Sequence, residues 1–437
     1  MKPRQQVHLL HLALALFFLG SGLPPAASQL VGPEFQVNSF TTGFQYKQAV
    51  AASGSGNFVV VWQSSGQDGS DAGVFGQRFD GAGTPLGTEF QVNSYTTSYQ
   101  RSPAVAADGS GNFVVVWESA AQDGSTSGVF GQRFDSAGIP QGSEFQVNSY
   151  TTSYQSAPAV SADGLGNFVV VWNSRFQDGS YEGVFGQRFS SAGTPAGSEF
   201  RINSYTTEGQ YVPAVAMDGL GNFVVVWDSR YQDGSYFGVF GQRFSSAGTP
   251  LGSEFRANSH ILNDQLDPAV AADSLGNFVV AWKSTDQDGS NYGVFGQRYN
   301  PAGVPSGNEF RINSYTTSDQ GPPAVAADGA GNFVVVWASR YQDGSDYGVF
   351  GQRFNPAGTP AGGEFRVNTH TTSAQLFSAV AAAGSGKFVM TWSSSGQDGS
   401  GLGVFGQRYG SAIPIFADGF EAASACAWSA AVGGGCP

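Results

Sequence analysis

A repeat of fixed length is the feature that most constrains how this chain can fold. The apolar run FVVVW, or a close variant of it, returns seven times at a spacing of 55 residues without insertion or deletion. Its tryptophans are Trp62, Trp117, Trp172, Trp227, Trp282, Trp337 and Trp392. A constant period of this length is typical of solenoids, propellers and repeat arrays. Because the repeat fills residues 34–409 of a 437-residue chain, we expect one repetitive domain rather than several unrelated ones.

Each unit contains four short strands joined by loops of hairpin length. In the second unit the strands are PAVAA, FVVVW, GVFGQRF and EFQVN, at residues 103–107, 113–117, 128–134 and 144–148. FVVVW is rich in β-branched and aromatic residues and has no polar alternation, which predicts a strand buried on both faces. No helical period is present, and the coils of a parallel β-helix are shorter than this unit. Four antiparallel strands in each of seven units predict an all-β, seven-bladed β-propeller.

The order of the strands and the closure of the ring are also predictable. PAVAA has the smallest side chains, so we expect it to be innermost at the crowded channel, with EFQVN outermost. The array begins with a lone EFQVN at residues 34–38, and its last unit lacks that strand. We therefore expect residues 34–38 to pair as the outermost strand of the last blade. Arg78 and Glu89 lie on either side of the third hairpin, and equivalents of both recur in every unit. We expect them to form a cross-strand ion pair in each unit, with a role in holding neighbouring blades together as the alternative.

The two ends of the chain differ from the repeat. Lys2 and Arg4 precede an apolar run at residues 9–19, and small residues follow at 24–28. This pattern predicts a signal peptide at residues 1–28, with an uncleaved membrane anchor as the alternative. The propeller then spans residues 29–412, and residues 413–437 form a C-terminal tail. We expect a secreted or cell-surface protein, extracellular or periplasmic, with no transmembrane segment after cleavage.

Charge and cysteine content narrow the classes of partner. The chain has 33 acidic and 20 basic residues, and loss of the signal peptide would change the formal net charge from −13 to −15. Such an acidic chain should repel nucleic acid and anionic membrane surfaces. The repeats contain no cysteine, and Cys426 and Cys436 in the tail are candidates for a disulfide in an oxidising compartment, with free thiols as the alternative. We expect a monomer.

Motifs for catalysis or metal binding are scarce. The chain contains no HExxH, CxxC or GxSxG motif. An active site also needs one asymmetric set of groups, whereas residues of near-identical units recur seven times. We therefore assign no catalytic residue and no metal ligand. The seven QDGS loops, the first at residues 67–70, are candidates for binding Ca²⁺, although Asp-Gly is also a common turn former.

The differences between units concentrate on one rim of the predicted propeller. The variable rim consists of the loops between second and third strands and the linkers between blades, whereas the turns of the opposite, uniform rim scarcely change. In units three, four and six the variable rim carries aromatic and arginine residues, which suit stacking on sugars or anchoring a protein. The candidate ligand-binding residues are Arg175, Phe176, Tyr181, Arg230, Tyr231, Tyr236, Phe237, Arg340, Tyr341 and Tyr347. Packing of these side chains over the loop edges is the alternative.

Two segments resemble known families. The pattern FVVVWxSxxQDGxxxGVFGQRF with EFxVNxxT resembles the repeats of large secreted or surface proteins of bacteria, some of them adhesin-like. That resemblance covers residues 34–409 and implies a propeller-like fold without a defined activity. The tail sequence IFADGFE at residues 415–421, followed by AWS, resembles a C-terminal sorting motif of exported proteobacterial proteins.

These observations favour a non-catalytic binding module, lectin-like in character. We expect it to recognise a glycan or a cell-surface protein through the aromatic and arginine residues of the variable rim. A propeller enzyme, either a lyase or a glycosidase with an acidic site at the channel mouth, is the first alternative. A structural surface scaffold is the second.

Overall fold

Seven four-stranded antiparallel sheets form the part of the chain that the computed structural model describes, residues 28–411. They are the blades of a seven-bladed β-propeller, and the strands follow the predicted order from the channel outward. The innermost strands are β2 (Gln45–Ala52), β6 (Gln100–Ala107), β10 (Gln155–Ala162), β14 (Gln210–Met217), β18 (Gln265–Ala272), β22 (Ala324–Ala327) and β26 (Gln375–Ala382). The second strands are β3 (Phe58–Ser65), β7 (Phe113–Ala120), β11 (Phe168–Arg175), β15 (Phe223–Arg230), β19 (Phe278–Thr285), β23 (Phe333–Arg340) and β27 (Phe388–Ser395).

The outer half of each blade contains one long and one short strand. The third strands are β4 (Ala72–Phe79), β8 (Ser127–Phe134), β12 (Glu182–Phe189), β16 (Phe237–Phe244), β20 (Tyr292–Tyr299), β24 (Tyr347–Phe354) and β28 (Leu402–Ser411). The outermost strands are β5 (Phe90–Gln91), β9 (Phe145–Gln146), β13 (Phe200–Arg201), β17 (Phe255–Arg256), β21 (Phe310–Arg311), β25 (Phe365–Arg366) and β1 (Ser28–Gln36). Blades 1–6 follow in chain order from β2, and blade 7 combines β26–β28 with β1.

The hydrophobic core lies between neighbouring blades. In blade 1, Val60 and Trp62 pack towards blade 7, whereas Val59 and Val61 pack towards blade 2. The second strand is therefore buried on both faces, as its lack of polar alternation predicts. All seven repeat tryptophans are fully buried.

The first strand closes the ring, as predicted from the phase of the repeat. β1 pairs with β28, and the amide of Val37 donates to the carbonyl of Val404 at 2.8 Å. The ring of Phe35 packs against Phe58 of blade 1, so β1 also joins blade 7 to its neighbour. The last unit lacks an EF strand of its own, and the EF strand at the start of the array takes that place in blade 7.

The predicted ion pair between the repeated arginine and glutamate is wrong. β4 and β5 pair with Gly76 opposite Phe90, which places Glu89 beside Gln77 and away from Arg78. No ion pair in residues 28–411 joins these arginines to these glutamates. The alternative role, joining blades, is the one observed.

Both repeated groups make contacts between blades. Glu89 accepts hydrogen bonds from the backbone amide of Ser39 at 2.7 Å and from its hydroxyl at 2.9 Å, just after the outermost strand of the preceding blade. Glu34 of β1 makes the same pair of contacts with Thr369, which joins blade 7 to blade 6. Arg78 donates in the other direction, to the carbonyl of Ser136 in blade 2 at 2.6 Å.

Aspartate side chains stabilise turns of the uniform rim. In the second unit, Asp108 Oδ1 accepts hydrogen bonds from the amides of Ser110 and Asn112, and Gly111 adopts the φ of +88° that this turn requires.

No helix long and apolar enough to cross a membrane occurs within residues 28–411. The predicted signal peptide, apart from Ser28, and the predicted tail with Cys426 and Cys436 lie outside the described residues.

Candidate binding site at the channel mouth

A β-bulge interrupts the innermost strand of six blades near the variable rim. In blade 1 the register of β2 against β3 shifts between Tyr46 and Ala49, which leaves Lys47 outside the regular ladder. The residues at this position have φ between 49° and 55°: Lys47, Ser102, Ala157, Val212, Asp267 and Phe377. Blade 6 has Pro322 there, and its innermost strand is shorter. We call these seven residues the bulge ring.

The left-handed backbone of the six bulged members favours glycine, yet none of them is glycine. A side chain in the left-handed region costs roughly 1–2 kcal/mol, most for β-branched residues such as Val212. The chain has 62 glycines and uses them at other left-handed positions, such as Gly111. Seven different residue types occupy the ring, although most of the repeat is uniform. Strained side chains of this kind are concentrated at functional sites, so the ring is a candidate for ligand contact.

The bulge ring surrounds a cavity of about 630 Å³ at the mouth of the central channel. Six of its seven members line the cavity. The seventh, Asp267, forms an ion pair of 2.6 Å with Lys283, which is itself part of the lining. Pro103 and Leu376 contribute apolar wall. The volume lies within the range of about 300–1,000 Å³ that is usual for small-molecule sites.

A second set of variable residues lies behind the bulge ring, one position after each tryptophan. We call this set the flanking ring: Gln63, Glu118, Asn173, Asp228, Lys283, Ala338 and Ser393. Three of its side chains, those of Gln63, Asp228 and Ser393, support the bulges through hydrogen bonds. Gln63 accepts from the amide of Ser102 at 3.2 Å, and Ser393 donates to the Gln48 side chain at 2.7 Å. The seven-fold backbone therefore carries an asymmetric set of polar groups at the channel mouth.

Ion pairs neutralise most of the cations around the cavity. Arg101 lies 2.8 Å from the buried carboxylate of Glu118, and Arg340 lies 3.7 Å from Asp319. Lys47 differs, because no acidic group in residues 28–411 lies within ion-pair distance of it. Burial lowers the pKa of Lys47 first, and the charge of Arg101 lowers it further against the opposing effect of Glu118.

An acidic group of side chains lies on the opposite side of the mouth, between blades 4 and 5. Asp228 is 2% exposed, and its Oδ2 accepts a hydrogen bond from the amide of Asp267 at 3.3 Å. Its Oδ1 has no hydrogen-bond partner among the described residues. Burial raises the pKa of Asp228 well above its ordinary range, and Asp267 and Asp264 add to the rise while Lys283 opposes it.

The residues predicted from the variable rim lie on the same rim as this mouth, in blades 3, 4 and 6. Five of their aromatic side chains are between 41% and 60% exposed: Phe176, Tyr181, Tyr231, Tyr236 and Tyr341. The other two, Phe237 and Tyr347, are partly buried, and Tyr347 lines the cavity.

The three predicted arginines are already engaged with their own loops. Arg175, Arg230 and Arg340 lie 4.8, 4.8 and 4.6 Å from the ring centres of the aromatic residues that follow them. Each also has an acidic partner, as in the pair of Arg230 with Glu208 at 3.5 Å. The aromatic rings, rather than the arginines, therefore offer the unoccupied surface.

The QDGS aspartates act in turns. Asp68 Oδ1 accepts from the amide of Ser70 at 3.1 Å, and Asp178 Oδ2 accepts from the Asn203 amide group at 3.3 Å. Within the described part of the chain, no group of three or more His, Cys, Asp or Glu side chains is arranged so that it could hold a metal ion. A role in turns is therefore the interpretation that we favour, and calcium binding at these loops stays an untested alternative.

Sequence reasoning did not find the bulge and flanking rings, although the sequence contains a signal for both. When the seven units are aligned on their tryptophans, the residue just after the tryptophan differs in every unit. So does the residue two positions before each AV pair. Only the fold shows that these positions, 16 residues apart within a unit, come together near one cavity, which six bulge-ring residues and Lys283 and Ala338 of the flanking ring line directly.

Comparison with known proteins supports the fold. The sequence matches no protein-family model, and no curated protein is similar to it in sequence. A protein of unknown function from Dyadobacter fermentans is 9% identical, with a TM-score of 0.51 over 88% of this chain and 99% of that one. The β-propeller domain of the trilobed protease from Pyrococcus furiosus is 11% identical, with a TM-score of 0.49 over 87% and 100%. Of these two similarities, the one to the Dyadobacter fermentans protein supports the fold, and it concerns the fold alone.

Proposed function

We propose that this chain is a secreted, non-catalytic propeller that binds a glycan on its variable rim, with the mouth of the central channel as the main subsite. The observation that carries the proposal is the convergence of repeat-to-repeat differences on one cavity. The bulge ring, the flanking ring and the exposed aromatic residues all vary between units and all lie at or around that mouth.

The shape and chemistry of the mouth favour a sugar over a flat protein surface. A concave, largely apolar cavity with a few polar groups suits a small polar ligand. Exposed rings such as Tyr231 and Tyr236 around it provide aromatic faces against which further sugar units can lie. Recognition of a cell-surface protein by the same rim is the competing ligand class.

A glycan-array screen of residues 29–412 tests the proposal. Tyr231→Gly is a suitable variant, because Gly66 and Gly396 occupy the equivalent position in blades 1 and 7 with φ of 72° and 71°. We expect it to weaken binding without lowering the melting temperature. Leu220→Ala is the control, since Leu220 is 80% exposed on the uniform rim and should not affect binding. A screen in which no glycan binds contradicts the proposal.

One observation favours an enzyme as the second candidate. Asp228 is a buried carboxyl group beside Asp264 and Asp267, and a carboxyl with a raised pKa is suited to act as a general acid. The test is incubation of the propeller with each bound glycan, followed by analysis for shorter or unsaturated products. Turnover that is abolished in Asp228→Asn would overturn the non-catalytic role.

A further inference from the structure

Lys47 is the starting point, because it is the cation of the channel mouth that lacks an acidic partner. The other mouth and rim cations in the described residues are each paired with a carboxylate. They are Arg101, Arg175, Arg230, Lys283 and Arg340. The ammonium group of Lys47 contacts only a neutral one, the hydroxyl of Ser102, at 3.2 Å. Its charge therefore remains available for an anion.

The surroundings of Lys47 add a second cation and an aromatic surface. Arg101 uses one terminal nitrogen for Glu118, and a guanidinium has five N–H donors, so further donors remain. On the other side, Phe377 of the bulge ring is 46% exposed and packs against Tyr46 with ring centres 6.0 Å apart. Lys47 and Phe377 both line the cavity, so cation and aromatic face border the same space.

We propose that this corner of the mouth binds a negatively charged sugar residue, with its anionic group at Lys47 and Arg101 and its ring against Phe377. The inference rests on the proposed function, because it names the class of glycan that the same site takes. A cation with an unused charge gains most from a charged partner, and charge-assisted hydrogen bonds are roughly twice as strong as neutral ones.

The charge of the whole chain limits the form of this ligand. The formal net charge is −13, so a long polyanion would be repelled before it reached the mouth. A glycan with a single acidic sugar at its end brings one negative charge to the Lys47 corner and is repelled much less by the acidic protein. We therefore expect glycans that end in a uronic or sialic acid to bind better than heavily sulfated polymers.

Variants with equivalents in other blades allow a clean test. Lys47→Ala reproduces blade 3, where Ala157 has a φ of 49° against 51° for Lys47, and it leaves no buried acid without its partner. Lys47→Arg keeps the positive charge. Lys387→Asn is the matched control, because it removes the same charge from the uniform rim and places there the asparagine found at Asn112 in blade 2.

The experiment is a glycan array with uronic-acid-ended, sialic-acid-ended, sulfated and neutral oligosaccharides, followed by titration calorimetry on the best binder. We expect an acidic-ended glycan to bind, Lys47→Ala to weaken it roughly ten- to hundredfold, and Lys47→Arg and Lys387→Asn to retain it. Binding of neutral glycans only, or unchanged affinity in Lys47→Ala, would overturn this inference and leave the proposed function standing. Binding of no glycan would overturn both.

Discussion

Replacing Phe35 with alanine tests whether β1 closes the ring as firmly as an outermost strand that is continuous with its blade. Phe35 lies 6.1 Å from the Phe58 ring and 5.3 Å from the Phe79 ring. Its equivalent in blade 1, Phe90, lies 6.3 and 5.5 Å from the two corresponding rings of blade 2. Because the contacts match, Phe35→Ala and Phe90→Ala should cost the same free energy of unfolding.

The expected cost follows from the burial of the two rings. A fully buried phenylalanine loses about 3–5 kcal/mol on truncation to alanine, and these half-buried rings should lose roughly 2–3 kcal/mol. With about 2 cal/mol/K of unfolding entropy per residue, a chain of this size changes its melting temperature by roughly 1 °C per kcal/mol. Each variant should therefore melt about 2–3 °C below the wild type.

Fluorescence of the repeat tryptophans provides the assay, because all seven are fully buried and become exposed on unfolding. Phe377→Ala is the control: its ring is 46% exposed at the channel mouth, and the shift should stay below about 1 °C. A Phe35→Ala variant that melts with the wild type, while Phe90→Ala does not, would refute the closure of the ring by β1.

Three further predictions concern pH, metal and packing. The folded-state pKa of Asp228 is raised, so its contribution to stability is present below its unfolded pKa of about 3.9 and is lost as pH rises through the folded value. Asp228→Asn, which introduces the residue that blade 3 has at Asn173, should therefore melt at a higher temperature than the wild type at pH 8 and at the same temperature near pH 3. A gain in melting temperature that does not depend on pH would contradict this. Chelation by EDTA should leave the melting temperature unchanged, because the QDGS aspartates already accept hydrogen bonds within their turns; a drop of several degrees would instead indicate calcium at these loops. Gly131→Ala should destabilise by roughly 1–3 kcal/mol, because its Cβ would lie 2.8 Å from the Phe145 ring, whereas Gly186→Ala, with its nearest contact at 3.2 Å, should cost less; equal melting temperatures would refute that packing argument.

Much of the fold was predictable because it depends on repeated local patterns. The FVVVW run has two apolar faces, and both are buried between blades in the structure, as in the case of Val59 and Val60. The lone EFQVN at residues 34–38 predicted the closing strand, since each blade needs four strands and one unit lacks its fourth. The ion pair of Arg78 with Glu89 failed because its geometry depends on the register of a two-residue strand, β5.

The candidate site was predictable only in part. Loop composition identified the exposed aromatic residues, such as Tyr231 and Tyr341, because loops vary where a scaffold does not. It did not show that Arg230 and Arg340 are paired with Glu208 and Asp319, since these acidic partners come from the linkers between blades and not from the loops of the arginines.

The number of blades, the order of the strands and the closure of the ring follow from the amino-acid sequence, because they depend on the repeat period, the strand pattern and the point in the repeat at which the array begins. Tertiary structure alone decided that Lys47 and its six counterparts form one ring. Residues 55 positions apart meet there because the innermost strands of all seven blades line the same channel, and six of them bulge at this position. The tertiary structure also decides which cations lack a carboxylate partner, since ion pairs such as Arg230 with Glu208 and Lys283 with Asp267 join side chains from different segments of the chain.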